Sequence, residues 1–309
     1  MNKPLVSVII PIYKEFLVHA RLAINSILSQ TYCRLEVLII FDDPEPSVLK
    51  ETLYLEFFRD ERVIFIYNDE NLGLANSLNK AIKLSKGYYI VRMDGDDISR
   101  SDRIQNQVLF MENNNDIELS GTYAHVINED GIKIGEYKKP LTYYDVKKYT
   151  KFANPVLHPS WIVRKSLFQK VGYYDDISPS QDYAFIVKTI NFGFRVANIP
   201  IFGIDYRIQK KSLSHYNSCK TLFITNILRD VASLKKEYFL ALKEIEDFNY
   251  SNFKVRKINF ILAFRSALIF SMKKHKKIYI PFYIFIIFII SSFSRDVFKD
   301  SIKLIKAKL

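Results

Sequence analysis

Three carboxylates within four positions form the densest group of reactive side chains in the sequence. Asp94, Asp96 and Asp97 stand in the run RMDGDD, at the end of the apolar residues 88–93. Like charges this close repel one another, and a hard divalent cation shared with an anionic ligand relieves the repulsion. The pattern predicts Mg²⁺ or Mn²⁺ held by these carboxylates together with a phosphate-bearing ligand. A solvated acidic turn is the alternative, and the position directly after a strand counts against it.

A second acidic pair, Asp42 and Asp43, follows the apolar residues 35–41. A carboxylate at the end of a strand can accept hydrogen bonds from a nucleotide base or a ribose. As an isolated pair before Pro44, the same residues would be an ordinary turn. The sequence contains neither GxGxxG nor GxxxxGK[ST], so we expect phosphate to be held by metal and side chains rather than by a glycine loop.

Four short apolar runs predict the strands that position these carboxylates. Between them, apolar residues recur at helical spacing, which is typical of repeated strand–helix units. Near-continuous apolar strands separated by helices predict a parallel sheet covered on both faces, with ligands bound beyond the carboxyl ends of the strands. The predicted strands are residues 5–12, 35–41, 63–67 and 88–93.

The pattern after the fourth strand predicts further elements. Ser101 is a candidate N-cap for a helix, and residues 117–134 predict a hairpin with its turn at Glu-Asp-Gly. Residues 160–193 are mainly helical in pattern, with an aromatic and acidic loop at 172–179. Residues 221–247 predict one or two amphipathic helices.

Charge is distributed unevenly along the 309 residues. The chain has a net charge of +12, of which residues 254–309 carry +11. Basic residues there flank the apolar runs 259–272 and 278–294, a pattern typical of an anionic membrane surface rather than of nucleic acid. The second run, with 17 residues and a helical length of about 25 Å, is marginal as a membrane span. A buried core helix is the alternative.

Composition also indicates the compartment. Cys33 and Cys219 are too few and too far apart for a disulfide framework, which favours a reducing cytosol. The apolar run at residues 5–12 is too short for a signal peptide. Basic residues on both sides of residues 278–294 favour cytoplasmic ends. Together with the basic tail, these features predict the cytoplasmic face of a membrane, bound peripherally or through one short embedded segment.

Several segments, taken together and in order, resemble family 2 glycosyltransferases of the GT-A fold. They are VSVIIPIYKE, the DD after the second strand, NLGLANSLNKAI, KGYYIVRMDGDD, HPSWIVRKSLFQKVGYYDD and QDYAFIVKTINFG. The resemblance covers about residues 4–215 and implies an α/β fold, a mostly parallel, Rossmann-like sheet flanked by helices. To it we add a C-terminal helical, membrane-associating tail.

The resemblance also implies a reaction. The expected activity is inverting transfer of one sugar from a nucleotide-sugar, with a UDP-sugar first among donors. The expected acceptor is a saccharide or lipid-linked saccharide in surface polysaccharide or lipopolysaccharide assembly, with Mn²⁺ or Mg²⁺ as cofactor. The QxxRW run of processive enzymes is absent, which favours transfer of a single sugar.

Residue roles follow from the resemblance position by position. Asp182 matches the catalytic base, and Asp94, Asp96 and Asp97 are the candidate metal ligands. Arg207 occupies the place of a basic loop that closes over the diphosphate. The chain departs from the family at Lys14, where Asn is common, and at Gln181, which replaces Glu beside the base. The residues implied to bind the nucleotide-sugar are Pro11, Tyr13, Glu15, Asp42, Asn71, Gly73, Arg92, Asp94, Asp96 and Arg207.

Four further residues are candidates for acceptor binding, each with a structural alternative. His158 could position acceptor or phosphate, or serve as an ordinary hydrogen-bonding residue. Trp161 and Tyr174 could stack on a sugar or belong to the core. Asp175 is either an acceptor-loop residue or part of a surface turn.

The predicted domain organisation has three parts. Residues 1–217 form the catalytic domain, with a nucleotide-sugar half to about 120 and an acceptor half from 121. Residues 218–253 form a helical connector, and residues 254–309 the membrane-associating helices. Two other functions stay open. One is a sugar-nucleotide nucleotidyltransferase, which would need a glycine-rich loop with a basic residue, and the segment PIYKEF is not glycine-rich. The other is a non-catalytic nucleotide-binding scaffold, which the replacement of Glu by Gln181 suggests.

Overall fold

The computed structural model describes residues 3–208, 219–234 and 236–247. The strands are β1 (Val6–Ile12), β2 (Leu35–Phe41), β3 (Val63–Tyr67), β4 (Tyr89–Arg92), β5 (Ile98–Ser99), β6 (Ile117–Ile127), β7 (Lys133–Tyr137), β8 (Ile162–Arg164) and β9 (Arg195–Arg207). The helices are α1 (Leu17–Leu28), α2 (Val48–Phe57), α3 (Gly73–Leu84), α4 (Arg103–Asn113), α5 (Tyr143–Thr150), α6 (Lys165–Val171), α7 (Gln181–Asn191), α8 (Cys219–Ala232) and α9 (Tyr238–Glu246).

The first half of the sheet is parallel, as the alternation of strand and helix patterns predicted. Its strands lie in the order β3-β2-β1-β4, and each neighbouring pair is parallel. Side chains on β1 alternate between two buried clusters, with Val8 in one and Ile9 in the other. Helix α1 packs in the first cluster and α3 in the second, so both faces are covered. The carboxyl ends of β1, β2 and β4 therefore meet at one edge.

The second half of the sheet is mixed and holds strands that the sequence pattern did not predict. β8 pairs antiparallel with both β4 and β6, and β9 runs parallel to β6 and antiparallel to β5. The predicted hairpin is confirmed as β6 and β7, with Gly131 in the left-handed region at its turn. β8 has only three residues, and β9 contains Pro200 and Gly203, which obscure the pattern of a strand.

Helix α4 begins one residue later than predicted. Ser101 is not its N-cap, because the helix begins at Arg103 after Asp102. The side-chain oxygen of Gln30 accepts the N–H of Ile104 at 3.1 Å and so satisfies one of the free donors of the first turn. Residues 221–247, predicted to form one or two helices, lie in two: α8, which begins at Cys219, and α9.

The described residues fall into two units. One comprises the chain to residue 209 together with residues 228–238; the described part of the other is residues 219–227 and 239–247, where Ile224 and Ala241 are buried. The predicted boundary at residue 217 and the basic tail at 254–309 lie outside the described residues. Within the described part of the chain, no helix is long and apolar enough to cross a membrane.

Candidate active site

The acidic run after β4 lies against the loop after β1. A Cβ built on Gly95 would be 3.1 Å from the carbonyl oxygen of Pro11 and 3.4 Å from Cγ of Glu15. That spacing leaves little room for a side chain, so glycine lets the two loops approach. The structure thus brings together Pro11, Glu15 and the carboxylates Asp94 and Asp96, which are the neighbours of Gly95 in the chain.

Glu15 titrates in an environment that disfavours its charge. Its carboxylate accepts a hydrogen bond from the N–H of Tyr13. Burial, assisted by the negative charges of Asp96 and Asp94, raises the pKa of Glu15 to about 7. Tyr13 itself is exposed, with the ammonium of Lys14 at 5.1 Å from its ring centroid. Its predicted place beside the nucleotide base stays a prediction.

Asp97 faces the protein interior. The side chain is fully buried, and Oδ1 accepts the N–H of Arg207 at 2.7 Å. Oδ2 has no hydrogen-bond partner among the described residues. Burial and the charges of Asp94 and Asp96 raise the pKa of Asp97 well above its ordinary value. A solute approaching the loop meets the partly exposed Asp94 and Asp96 rather than Asp97, which does not favour the predicted contact between Asp97 and a metal.

Arg207 holds the acidic loop from within the protein. It is 4% exposed, its Nε donates to the carbonyl of Asp96 at 2.8 Å, and Nη1 donates to the carbonyls of Asn128 and Glu129 at 3.0 and 2.9 Å. In this conformation Nε and Nη1 of Arg207 donate to main-chain oxygens, which does not favour the predicted contact with a diphosphate. That contact stays a prediction, and residues 209–218, which follow, lie outside the described residues.

Arg92 is a buried cation at the centre of the site. Its guanidinium forms an ion pair with Asp94, while Nε and Nη1 are buried without a partner in the described part of the chain. Burial opposes the charge, but Asp94 and Asp97 outweigh it and raise the pKa of Arg92. The positive charge of Arg92 also favours the charged form of Asp182, although burial raises the pKa of that carboxyl overall. One arginine therefore acts electrostatically on both the acidic loop and the predicted base.

Asp42 shapes the loop between β3 and α3. Its Oδ1 accepts hydrogen bonds from Nδ2 of Asn68 at 2.9 Å and from the N–H of Leu72 at 2.8 Å. In the same loop Gly73 has φ +76°, and its N–H donates to Oδ1 of Asn71 at 3.1 Å. Asp42 is nearly fully buried, so the structure gives it a loop-forming role. Its predicted contact with a base stays a prediction.

Asp182 stands in the first turn of α7. Its Oδ2 accepts a hydrogen bond from Nδ2 of Asn154 at 2.7 Å. Burial raises the pKa of Asp182, against the N–H of Tyr183, the charge of Arg92 and the amide of Asn154, which all favour the carboxylate. A half-buried carboxylate with a raised pKa is suited to accept a proton.

Three of the four predicted acceptor residues belong to the core. Trp161 is fully buried and Tyr174 nearly so, with their rings stacked at 6.1 Å between centroids. Buried His158 lies 2.9 Å through Nε2 from the hydroxyl of Tyr174, and burial lowers its pKa well below the ordinary value. Asp175 accepts from Nζ of Lys188 at 2.9 Å and from the hydroxyl of Tyr238 at 2.6 Å. The structural alternative fits Trp161, His158 and Tyr174, because their rings pack against each other. Asp175 is engaged in hydrogen bonds within the protein. Contact of any of the four with an acceptor stays a prediction.

Two residues beside the base were missed. Asn154 donates to Asp182, and Nζ of Lys139 donates to the carbonyl of Asn154 at 2.9 Å. Burial lowers the pKa of Lys139 to about 8, although the charge of Asp182 opposes this. Asn154 is 28 positions from Asp182, and no motif or spacing joins them in the sequence.

The metal prediction rests on the donor set of the acidic loop. The described residues contain no group of three or more His, Cys, Asp or Glu arranged to hold a metal ion. The oxygen donors of Asp94 and Asp96 nevertheless suit Mg²⁺ or Mn²⁺, since Mg²⁺ is commonly held by one or two carboxylates and by substrate phosphates. The cofactor stays a prediction.

Comparison with known proteins identifies the family. Residues 7–172, more than half of the chain, match the profile of glycosyl transferase family 2. The chain belongs to this family. The matched region includes the acidic loop and ends before Asp182. The family named by the sequence motifs is therefore confirmed.

Relatives and a solved structure agree with this assignment. The O-antigen biosynthesis glycosyltransferase WbnJ of Escherichia coli is 31% identical over 232 residues, covering 73% of this chain and 89% of the relative. A UDP-Gal:alpha-D-GlcNAc-diphosphoundecaprenol beta-1,3-galactosyltransferase of Escherichia coli is 27% identical over 220 residues, covering 71% and 80%. The structure of Staphylococcus aureus TarS 1-349 in complex with UDP-GlcNAc superposes with a TM-score of 0.60 at 16% identity, covering 85% of this chain and 80% of TarS. That likeness shows the α/β GT-A fold.

Proposed function

We propose that this glycosyltransferase moves one sugar, with inversion, from a UDP-sugar to a lipid-linked saccharide in surface polysaccharide assembly. The observation that carries the proposal is the acidic loop after β4, where Arg92 forms an ion pair with Asp94 within the region that matches glycosyl transferase family 2. In the proposed reaction this loop holds the donor, and Asp182, in the first turn of α7, acts as the base.

Inversion requires an in-line displacement at the anomeric carbon. Asp182 takes the proton from the acceptor hydroxyl as the oxygen attacks, and the nucleoside diphosphate leaves from the opposite face. Asp94 and Asp96 would hold Mg²⁺ or Mn²⁺, and the ion would supply Lewis-acid stabilisation for the negative charge of a leaving diphosphate. Arg92 adds a positive charge, and its buried nitrogens Nε and Nη1, which have no hydrogen-bond partner among the described residues, suit oxygen acceptors of a ligand.

Substrate class and location are proposed from the relatives and from the basic tail. One relative uses UDP-Gal and an acceptor on diphosphoundecaprenol, and another acts in O-antigen biosynthesis. A lipid-linked acceptor lies at a membrane surface, and residues 254–309, with a net charge of +11, suit binding to anionic lipid. We place the enzyme at the cytoplasmic face of the membrane, where nucleotide-sugars are made.

The test is transfer from UDP-, GDP- and dTDP-sugars to synthetic lipid diphosphate-linked saccharides, in Mn²⁺, in Mg²⁺ and with chelator. We expect turnover with a UDP-sugar that stops with chelator, and a product of inverted anomeric configuration by NMR. Asp182→Asn should lower kcat by at least about a hundredfold, in line with loss of a general base, and leave UDP binding intact.

Each other outcome contradicts a defined part of the proposal. Turnover that persists with chelator would remove the metal, and a product of retained configuration would remove the in-line displacement. Asp182→Asn with wild-type kcat would exclude Asp182 as the base. Metal-dependent nucleotide binding without transfer to any acceptor would favour a scaffold, and release of pyrophosphate from a nucleoside triphosphate would favour a nucleotidyltransferase.

A further inference from the structure

We propose that Asn154 is a positioning residue for Asp182. The Asn154 amide holds one oxygen of the Asp182 carboxylate so that the other oxygen faces the acceptor. This inference rests on the proposed function, in which Asp182 is the base. Its structural basis is a chain of hydrogen bonds that leaves the Asn154 amide one orientation and connects it to Lys139.

The amide orientation follows from the partners of Asn154. Oδ1 accepts the N–H of Val156 at 3.2 Å, and Nδ2 donates to Oδ2 of Asp182 at 2.7 Å. A flipped amide would place Oδ1 against the carboxylate and its NH₂ group against an N–H, so both contacts would become repulsive. Only the observed orientation satisfies both, which makes Asn154 a fixed donor to the base.

The backbone of Asn154 is held as well. Its carbonyl accepts from Nζ of Lys139 at 2.9 Å, and that ammonium lies 5.0 Å from the ring centroid of Tyr137 and 5.3 Å from that of Tyr149. Lys139 is thus clamped between two rings and a carbonyl. The segment that carries the donor is fixed from β7 and α5, elements distinct from α7, which carries the base.

The hydrogen bond from Asn154 fixes the orientation of the Asp182 carboxylate through Oδ2. In the proposed arrangement Oδ1 accepts the proton of the acceptor hydroxyl. The charged and titratable groups that face this carboxylate are Arg92, Lys139 and Tyr174. Asn154 is not charged, but its side chain donates a hydrogen bond directly to Asp182. A hydrogen bond to the carboxylate stabilises the charged form. Removing that donor should raise the pKa of Asp182 and let its side chain rotate.

Two readouts test the role, one of which needs no turnover. In full-length protein labelled with ¹³C-aspartate, the carboxyl signal of Asp182, assigned by its loss in Asp182→Asn, is titrated in wild type, Asn154→Ala and Asn154→Asp. We expect the pKa to rise by on the order of one unit in Asn154→Ala. The rise should be larger in Asn154→Asp, which places a second carboxylate beside the first. An unchanged pKa in both variants would overturn the proposal.

The second readout is kinetic. Asn154→Ala should lower kcat by on the order of ten- to a hundredfold, as expected for loss of a hydrogen bond to a charged group. The acidic limb of the kcat profile should move to higher pH, with KM for the donor within about twofold of wild type. Loss of kcat with an unmoved pH profile, or an unchanged kcat, would overturn the positioning role.

The control and the double variant separate this proposal from its premise. Asn106 also donates to an aspartate, from Nδ2 to Oδ2 of Asp102 at 3.0 Å, on the surface of α4; Asn106→Ala should leave kcat and the pKa of Asp182 unchanged. In the Asp182→Asn background, Asn154→Ala should cause no further loss. A raised pKa without sugar transfer in any variant would contradict the proposed function while the coupling of Asn154 to Asp182 stands.

Discussion

At the scale of single residues, Arg207 stabilises the acidic loop through main-chain carbonyls. Its side chain donates three hydrogen bonds, from Nε to the carbonyl of Asp96 and from Nη1 to the carbonyls of Asn128 and Glu129. Its backbone N–H donates to the buried carboxylate of Asp97. The family resemblance implied that Arg207 contacts a diphosphate, but sequence cannot show that an arginine points inward. The tertiary structure decides whether an arginine side chain is buried and paired with main-chain carbonyls.

Arg207→Ala should lower the free energy of unfolding by about 2–4 kcal/mol, because it leaves buried carbonyls without donors. It should also weaken UDP binding, since the main chain of Asp96 loses its anchor. The control is Arg100→Ala. Arg100 is half exposed and forms a long ion pair with Asp205, at 3.6 Å. A surface ion pair contributes about 0–1 kcal/mol to stability. Denaturant unfolding of both variants makes the comparison; equal stability losses would refute the bracing role.

Glu15 provides a prediction on pH. Its pKa in the folded protein is about 7, against an ordinary value of 4.5. Below about pH 4.5 Glu15 is protonated in both the folded and the unfolded protein. As the pH rises towards 7, Glu15 releases its proton first in the unfolded protein, so the free energy of unfolding falls. Glu15→Gln should therefore raise the free energy of unfolding by about 1–3 kcal/mol at about pH 8 and by little at about pH 4.5.

The measurement for Glu15→Gln is denaturant unfolding at both pH values with chelator present, so that no cation neutralises the acidic loop. Gln can still accept the N–H of Tyr13, which wild-type Glu15 accepts. A stability gain of equal size at both pH values would show that the change acts through something other than titration of Glu15.

At the scale of elements, local pattern sufficed where strands are continuous and apolar. β2 and β3 have the predicted bounds, and β1 and β4 differ from them by one or two residues. β9 has 13 residues with buried and exposed positions mixed, since it pairs with β6 on one side and the short β5 on the other. Its pairing is non-local, so the pattern within the segment carries little of the signal.

Local sequence pattern had the same limited reach for the residues of the candidate active site. The acidic residues after strands could be found from sequence, because the carboxyl ends of parallel strands share an edge. The aromatic residues of the HPSW segment could not be divided between core and ligand, since aromatic side chains dominate both. Asn154 carries no signature at all, because its function comes from a contact made 28 residues along the chain.

Two glycines on the β6–β7 hairpin should respond differently to replacement by alanine. A Cβ on Gly121 would lie 2.3 Å from Cγ1 of Val156 and 2.8 Å from Oγ of Ser160, whereas on Gly135 its nearest neighbour is at 3.8 Å. Gly121→Ala should cost about 1–3 kcal/mol of stability through overpacking. Gly135→Ala should stay within about 0.5 kcal/mol of wild type or gain slightly. Thermal unfolding decides it, and a neutral Gly121→Ala would mean that β6 and its neighbours are not closely packed.

At the scale of the whole molecule, charge is segregated along the chain. Residues 254–309 carry +11 and the remainder +1, so nearly all long-range attraction to an anionic surface comes from the tail. If the acceptor is lipid-linked, such attraction raises the enzyme's concentration at the surface where the acceptor lies.

The tail prediction is tested in the full-length chain by removing charge rather than residues. Replacing Lys273, Lys274, Lys276 and Lys277 with Gln should weaken binding to phosphatidylglycerol vesicles strongly, since each basic residue near the surface contributes about 1 kcal/mol. Raising the salt should weaken wild-type binding in the same direction. UDP binding should not change, because the predicted donor site is formed by residues outside the tail. The matched control replaces four exposed lysines of the catalytic part, Lys86, Lys147, Lys148 and Lys151.

Vesicle co-sedimentation at two salt concentrations separates the outcomes. Loss of binding in the tail variant alone would place the membrane contact in the basic tail. Equal loss in both variants would mean that net charge, and not its position, drives association. Undiminished binding in the tail variant would leave the apolar runs as the source of affinity, because their contribution depends on buried area and not on charge.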